Sequence, residues 1–145
     1  MTSVRWTWSV LQGIAAARRL RIGHERPING GTQLIVRRWE ARTTTEGAER
    51  YQAHFATVVL EKLKTLDGFR GAQILRAVDP GADQVKLIDL TYWESLDSIG
   101  AFAGADLRTA VVDETAQRYL VDFDSSVSHY SLEVDTVTGS ARAGT

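Results

Sequence analysis

The sequence predicts one α+β domain in which four antiparallel strands carry helices on one face of the sheet. Three observations lead to this prediction. Residues 85–93 are an apolar run rich in β-formers that leads into a capped helix, residues 46–65 have the periodicity of an amphipathic helix, and a Pro–Gly turn at residues 79–83 separates two strand-like runs. The predicted order of strand, helix, strand, strand, helix, strand is the ferredoxin-like βαββαβ arrangement.

The run at residues 85–93 is apolar on both of its faces. Because side chains alternate along a strand, residues two apart share a face. Ser95 is placed to cap the helix that follows, and Gly104 is placed to end it. A strand that is apolar on both sides needs a second cover besides the helices. One face carries Val85, Leu87 and Trp93, and the other carries Ile88, Leu90 and Tyr92.

The first strand is predicted at residues 34–41 and is followed by a long helix. Thr43 and Glu46 have the spacing of a capping box, and the helical pattern continues to about Thr65, before Asp67-Gly68 ends it. Apolar residues recur at spacings of three, four and seven, which places them on one helix face. They are Ala48, Tyr51, Phe55, Val58, Val59, Leu63 and Leu66.

The remaining elements complete the predicted sheet and its helices. The second strand is predicted at residues 69–78, and the turn at residues 79–83 pairs it with the third strand as an antiparallel hairpin. Residues 106–112 predict a short helical turn, and residues 113–120 predict another. The last strand is predicted at residues 124–134.

The chain divides into a domain and two ends. The predicted domain covers residues 34–134. Residues 1–33 contain five arginines against one glutamate and finish in a Pro- and Gly-containing break, so we expect a loosely attached extension, with a docking or partner helix as the alternative. Residues 135–145 are rich in Thr, Gly, Ser and Ala, which predicts a flexible tail.

The composition excludes several classes of function. A net charge of −1 gives no general attraction to nucleic acid or to an anionic membrane surface. No apolar run reaches the roughly 18 residues that span a bilayer. The absence of cysteine excludes disulfides and thiolate metal sites, and no group of histidines or carboxylates has metal-ligand spacing, so we expect neither a metal nor another cofactor. The cytoplasm is the default compartment.

The second apolar face of the sheet predicts an assembly. Several predicted strands remain apolar on the side away from the helices, and such a patch is large for a monomer. Two copies packed sheet to sheet around a twofold axis would cover it. We therefore expect a homodimer through the open sheet face, which forms a dimeric α/β barrel.

Several short motifs follow one another over residues 34–134. They are Gly68-Phe69-Arg70-Gly71-Ala72, Trp93-Glu94-Ser95, Ala101-Phe102-Ala103-Gly104-Ala105-Asp106, Ala110-Val111-Val112, Phe123-Asp124, Val127 and His129-Tyr130. Together, in this order, they resemble the antibiotic-biosynthesis-monooxygenase-like family of the dimeric α/β-barrel superfamily. The resemblance implies a homodimer with a pocket between sheet and helices in each subunit.

The resemblance also implies an activity and an alternative to it. The implied activity is that of a cofactor-independent monooxygenase acting on an aromatic or polyketide-like small molecule, in which O2 reacts with a substrate carbanion or phenolate. The same fold is used by non-catalytic ligand-binding or stress-related proteins. Haem degradation is disfavoured, because Phe102 and Val112 occupy the positions where haem-degrading relatives have a second-helix Trp and a His.

Two histidines are candidates for the base that such an oxygenase needs. His129 in the last strand is the first candidate, because an imidazole can accept a phenolic proton near neutral pH. His54, one turn from Tyr51 near the edge of the apolar helix face, is the weaker one. The simpler interpretation is structural for both: His129 would hydrogen-bond a neighbour or the dimer partner, and His54 would be a boundary residue.

The candidate pocket residues are aromatic, and the candidate oxyanion partners are arginines on strands. An aromatic residue in such a position is commonly a core anchor, and the functional alternative is a wall that stacks on an apolar or aromatic ligand. Arg37, Arg38 and Arg76 have a simpler role in snorkelling or ion pairs, but one of them could stabilise a substrate oxyanion. The pocket candidates are Trp39, Tyr51, Tyr92, Trp93 and Phe102.

The geometry of the cavity should separate the two functions. A cavity of about 300 Å³ or more, with His129 or His54 opening into it, favours the oxygenase. A closed interior that is filled by side chains favours the non-catalytic protein.

Overall fold

The structure, a computed structural model, describes residues 33–79 and 81–137. It contains one open antiparallel sheet with helices packed on one side, which is the α+β ferredoxin-like fold that the sequence predicts. The strands are β1 (Ile35–Thr43), β2 (Phe69–Arg76), β3 (Val85–Trp93), β4 (Asp122–Phe123) and β5 (Ser128–Ser131). The helices are α1 (Thr45–His54, continued by a π-helical turn at Phe55–Val59 and by Leu60–Leu63), α2 (Leu96–Ala103) and α3 (Glu114–Tyr119).

β1 is the central strand of the sheet. It pairs with β3 along all nine of its residues, and β3 pairs in turn with β2. The other edge of β1 pairs with β4 at Ala41 and Arg42 and with β5 at residues 35–38. The continuous last strand predicted at residues 124–134 is therefore wrong. Between β4 and β5 the chain leaves the sheet, and Val127 instead donates its N–H to the carbonyl of Arg108 at 2.8 Å.

α1 begins one residue later than the capping pattern predicts. The Oγ1 of Thr44 accepts the N–H of Gly47 at 3.0 Å, so Thr44 is the N-cap. The predicted cap, Thr43, is the last residue of β1, and its hydroxyl donates to the carbonyl of Tyr119 at 2.6 Å. This bond ties the start of α1 to the end of α3. The buried residues of α1 are spaced four apart in sequence, and this spacing explains why the helix contains one irregular turn.

In an α-helix, residues four apart drift around the axis by about 40° per step. The wider π turn at Phe55–Val59 holds an extra residue and offsets this drift. The extra residue also rotates Val58, predicted on the buried face, to 40% exposure. Four residues at this spacing are buried on one side of α1: Tyr51, Phe55, Val59 and Leu63.

The two faces of the sheet have different characters. Odd-numbered residues of β1 and β3 face the helices and form the core, in which Leu87 and Trp93 are almost completely buried. Even-numbered residues face away, so the prediction of a second, partly apolar face is met. Part of this open face carries ion pairs from Arg42 to Glu40, Asp122 and Asp124. Its apolar members are Val36, Leu75, Ile88, Leu90, Tyr92 and Tyr130.

The segment at residues 104–113, here called the strap, connects α2 to α3. The helical turn predicted at residues 106–112 is wrong, because the strap contains turns and a single bridge from Thr109 to Ser126 instead. Backbone bonds to the 124–127 loop take the place of helical ones: Ala110 donates its N–H to the carbonyl of Ser125 at 3.0 Å. The strap therefore lies on the helix-facing side of the sheet, where the carbonyls of Leu107 and Thr109 contact Arg37.

The two predicted ends fall mostly outside the described residues. Of the extension at residues 1–33, only Gln33 is described, and of the tail at residues 135–145, only residues 135–137 are, without helix or strand. Within the two described ranges, no helix is both long enough and apolar enough to cross a membrane.

Candidate functional site

A cavity lies between the helix-facing side of the sheet and α1. The end of the strap and α3 close it. Its volume is about 60 Å³, which is below the roughly 150 Å³ that admits a benzene molecule and far below 300 Å³. The size expected for an oxygenase pocket is therefore not met. The lining residues are Arg37, Trp39, Tyr51, Phe55, Val59, Leu63, Asp89, Thr91, Phe102, Val111, Val112, Asp113, Ala116 and Val127.

Asp89 is a buried carboxyl in the wall of this cavity. It is 7% exposed, and its Oδ2 accepts a hydrogen bond from the hydroxyl of Tyr51. Its Oδ1 is buried and has no hydrogen-bond partner among the described residues. Burial raises the pKa of Asp89 to about 7, although the Tyr51 hydrogen bond acts in the opposite direction. The carboxyl is thus able to hold or release a proton near neutral pH.

The alternation of β3 explains why Asp89 is buried. Val85, Leu87 and Trp93 point toward the helices, and so must Asp89 between them. Apolar alternation in the sequence indicates that these neighbours share one face, but it does not mark the carboxyl that lies between them. An acidic residue on the buried face of a central strand is the signal that could have identified Asp89.

Arg37 is a buried cation at the side of the same cavity. It is 5% exposed, and its Nη1 and Nη2 donate to the carbonyls of Leu107 and Thr109 in the strap, at 2.8 and 2.9 Å. Its guanidinium lies 5.5 Å from the ring centre of Phe102. Burial lowers the pKa of Arg37 to about 10, so the group remains charged at neutral pH.

His129 contacts Arg37 rather than the cavity. The Nη1 of Arg37 lies 3.1 Å from the Nε2 of His129. Because arginine only donates, Nε2 must accept and the imidazole proton is on Nδ1. Burial, and then the charge of Arg37, lower the pKa of His129. Its side chain lines an outer polar groove, shared with Asp106, Arg108, Thr109, Ser125, Ser126, Val127 and Ser128.

His54 lies behind the cavity wall. Its Nε2 is 2.9 Å from the Oδ2 of Asp113, and its ring meets the edge of Tyr119 with 6.2 Å between the ring centres. Asp113 lines the cavity and is also the N-cap of α3, since it accepts the N–H of Ala116 at 3.4 Å. His54 therefore fastens α3 and the end of the strap to α1.

The five aromatic candidates are divided between three places. Trp39, Tyr51 and Phe102 line the cavity. Trp93 is fully buried behind Phe102, with 5.7 Å between the ring centres, so it supports the wall without forming it. Tyr92 is at an even position of β3 and faces the open side of the sheet, where its hydroxyl donates to Gln73 at 2.6 Å. Tyr92 is thus corrected from a pocket residue to a residue of the open face.

A metal centre is not formed by the described part of the chain, because no three His, Cys, Asp or Glu side chains are grouped to hold an ion. The charged and hydroxyl groups that line the cavity are instead those of Arg37, Tyr51, Asp89, Thr91 and Asp113, the last of which is paired with His54. Such a set can bind an acidic molecule and move its proton.

Of three comparisons with known proteins, the one with solved structures finds a match. No protein-family model matches the chain, and no curated protein sequence matches it. Among solved structures, the chain is similar to the crystal structure of a putative antibiotic biosynthesis monooxygenase from Bacillus cereus, with 12% sequence identity and a TM-score of 0.49. The match covers 74% of this chain and 100% of the other.

Proposed function

We propose that the chain is a cofactor-independent monooxygenase in which Asp89 is the base. The observation that supports this is the unpaired Oδ1 of Asp89, buried at a cavity with a carboxyl pKa of about 7. An unsatisfied buried polar atom costs roughly 1–3 kcal/mol, so a purely structural core has no use for it. A base is most effective when its pKa lies near the working pH.

The proposed chemistry needs only the protein, the substrate and O2. Asp89 removes a proton from an acidic C–H or O–H, and the resulting carbanion or phenolate adds O2 at carbon to form a hydroperoxide. The proton held by Asp89 returns to the peroxide, and loss of water from a hydroperoxide whose carbon still bears one hydrogen leaves a carbonyl. One oxygen atom ends in the product and the other in water, and the substrate supplies all the electrons. The apolar side chains of α1 and α3 keep bulk water away from the anion.

His129 is a poorer base than Asp89 in this arrangement. Its Nε2 lone pair already accepts from Arg37, and burial and Arg37 both disfavour the protonated ring. Protonating Nε2 would break this contact and place two cations together. We therefore move the proposed base from His129 to Asp89, and we propose that His54 supports the wall through Asp113.

The size of the cavity restricts how a substrate of this class could bind. A ring system does not fit in about 60 Å³, so the strap or the α1 side chains must move outward when an aromatic or polyketide-like molecule enters. Trp39, Tyr51 and Phe102 would then contact the ring. The same small volume favours the second candidate, a non-catalytic protein that binds a small ligand in this cavity.

Oxygen uptake with a panel of phenols and quinols tests the proposal. The parent should consume O2 with at least one compound, and Asp89→Asn should lower the rate at least 100-fold, in the range expected for loss of a general base. His129→Ala should retain measurable uptake. An exposed acid of the β2–β3 loop, changed in Asp83→Asn, is the matched control and should leave the rate unchanged. Equal rates in the parent and Asp89→Asn would remove Asp89 from the mechanism.

We also propose the assembly and location expected from the sequence. A second copy packed on the open face would cover its half-buried apolar residues, among them Val36, Ile88 and Leu90. The cytoplasm remains the proposed compartment, and fractionation of cells that express the chain would check it.

A further inference from the structure

The guanidinium of Arg37 is a buried charge that has only neutral partners in the described residues. Two backbone carbonyls and the Nε2 of His129 accept from it, and the ring of Phe102 lies against it. No carboxylate of the described chain contributes to its electrostatics. A guanidinium has five N–H donors, so these three bonds leave part of it available. A buried charge without a counter-ion is costly, and an anion in the cavity would relieve this cost.

We infer that the cavity binds a small organic oxyanion, a carboxylate or enolate head of about three or four non-hydrogen atoms, between Arg37 and the carboxyl of Asp89. Both side chains line the same cavity. The inference builds on the proposed function, because it names the ligand class of the same site. The head binds as a charged acceptor at Arg37 and as a hydrogen-bond partner at Asp89.

The volume of the cavity sets the size of this head. At about 60 Å³ the space is less than half of the roughly 150 Å³ that admits a benzene molecule. It therefore suits a head of only a few non-hydrogen atoms, such as the planar carboxylate of acetate. A larger acid would need its remaining atoms outside the cavity, and Val127, which lines both the cavity and the outer polar groove, is the side chain between the two spaces.

The unpaired Oδ1 of Asp89 gives the site a defined pH dependence. When Asp89 is protonated, it can donate to the bound oxyanion, and when it is ionised, it repels that oxyanion. Other charged or titratable groups near the carboxyl are Tyr51 on α1, Arg37 on β1 and Asp113, which is paired with His54. Burial raises the pKa of Asp89 to about 7, so the affinity should fall above that pH.

Calorimetric titration with acetate tests the inference, with acetamide as a neutral probe of the same shape. Acetate should bind with a millimolar Kd below pH 7, while acetamide and sodium chloride should not. Above pH 7 the Kd should rise up to tenfold per pH unit, because each unit ionises Asp89 tenfold further. Asp89→Asn should bind acetate with little dependence on pH between 6 and 8.

Variants at two arginines separate this site from general attraction of anions. Arg37→Lys should weaken acetate binding at least tenfold, because lysine cannot reproduce the planar fork of donors. Arg108→Gln removes an exposed cation of the outer groove and should leave the Kd unchanged. If Arg37→Lys does not fold, the pH dependence of the acetate Kd in the parent and in Asp89→Asn still tests the inference.

The outcomes distinguish this inference from the proposed monooxygenase. Acetate binding with the stated pH profile, in a chain that consumes no O2 with any phenol or quinol, would support the oxyanion site and contradict the oxygenase. Oxygen uptake that requires Asp89, in a chain that binds acetate no better than acetamide, would support the oxygenase and contradict the oxyanion site. An acetate affinity that is equal in the parent, Asp89→Asn and Arg37→Lys would overturn the inference.

Discussion

The hydroxyl of Tyr51 donates a hydrogen bond to one oxygen of Asp89, and the other oxygen of the same cavity-lining carboxyl is buried without a partner in the described residues. α1 supplies the donor, and the centre of β3 supplies the acceptor. The bond therefore joins the helix layer to the sheet at the site where chemistry is proposed. Both the stability of the fold and the proton affinity of the site depend on it.

The first prediction concerns stability and pH. Folding raises the pKa of Asp89 from 3.8 to about 7, so the native state binds more protons than the unfolded chain between these values. Stability must then fall as pH rises through this window, by about 1.4 kcal/mol per unit in its middle. Between pH 5 and pH 8 the loss due to Asp89 is roughly 2–3 kcal/mol.

Urea unfolding of the parent and of Asp89→Asn at several pH values measures this effect. The difference in unfolding free energy between the two proteins should shift in favour of Asp89→Asn as the pH increases from 5 to 8. Asp83→Asn, which changes an exposed acid, should follow the parent at every pH. A difference between the parent and Asp89→Asn that does not vary with pH would show that Asp89 has an ordinary pKa in the folded protein.

The second prediction concerns Tyr51. Its hydrogen bond lowers the pKa of Asp89 and so opposes the effect of burial. Tyr51→Phe removes this bond, so the pKa of Asp89 should rise above 7, and the protein should lose about 1–3 kcal/mol at pH 8 because the carboxylate loses its partner. Carboxyl carbon shifts in an NMR titration report the pKa. Tyr130→Phe, on the open face, should leave the titration of Asp89 unaltered.

Much of the fold could be predicted from periodicity because the sheet has two distinct faces. The alternation of β3 and the helical spacing of α1 gave the element order and the buried side of each. Local sequence patterns were less informative where hydrogen bonds to a distant segment determine the backbone conformation. The strap lacks a helix because Ala110 pairs with Ser125, and β4 and β5 separate because Val127 pairs with Arg108. No pattern within residues 106–134 indicates these partners.

The site was harder to predict because its main residue lies on an apolar face. Histidines and aromatic residues are the side chains in the sequence that suit an oxygenase most directly, and Arg37 is one of three strand arginines that could stabilise an oxyanion. Asp89 was hidden between Leu87 and Trp93, and its importance depends on burial, which a single carboxyl in a strand does not reveal. Which histidine nitrogen is available depends on a contact between β1 and β5.

The third prediction compares two glycines with nearly the same positive φ. Gly68 and Gly104 have φ values of 88° and 87°, in the range that strains any other residue by about 1–3 kcal/mol. A Cβ at Gly68 would lie 2.3 Å from the Cβ of Ser98 in the cap of α2, whereas nothing lies within 4 Å of one at Gly104. Gly68→Ala should thus be less stable than Gly104→Ala by a further 1–3 kcal/mol or so. Thermal unfolding of the two variants measures the difference. Equal losses of stability would show that Ser98 can move away from a Cβ at Gly68 without cost.

The fourth prediction tests the proposed homodimer. Leu90 is half-buried on the open face, between Arg38 of β1 and Gln73 of β2. A carboxylate at this position can approach Arg38 in an isolated subunit, but in a sheet-to-sheet dimer it would be buried beside its own copy. Leu90→Glu should therefore convert a dimer into a folded monomer in size-exclusion chromatography with light scattering. Val78→Glu, at a valine that is 93% exposed after β2, should remain a dimer like the parent. A parent that is already monomeric, or a Leu90→Glu variant that stays dimeric, would contradict an assembly through this face.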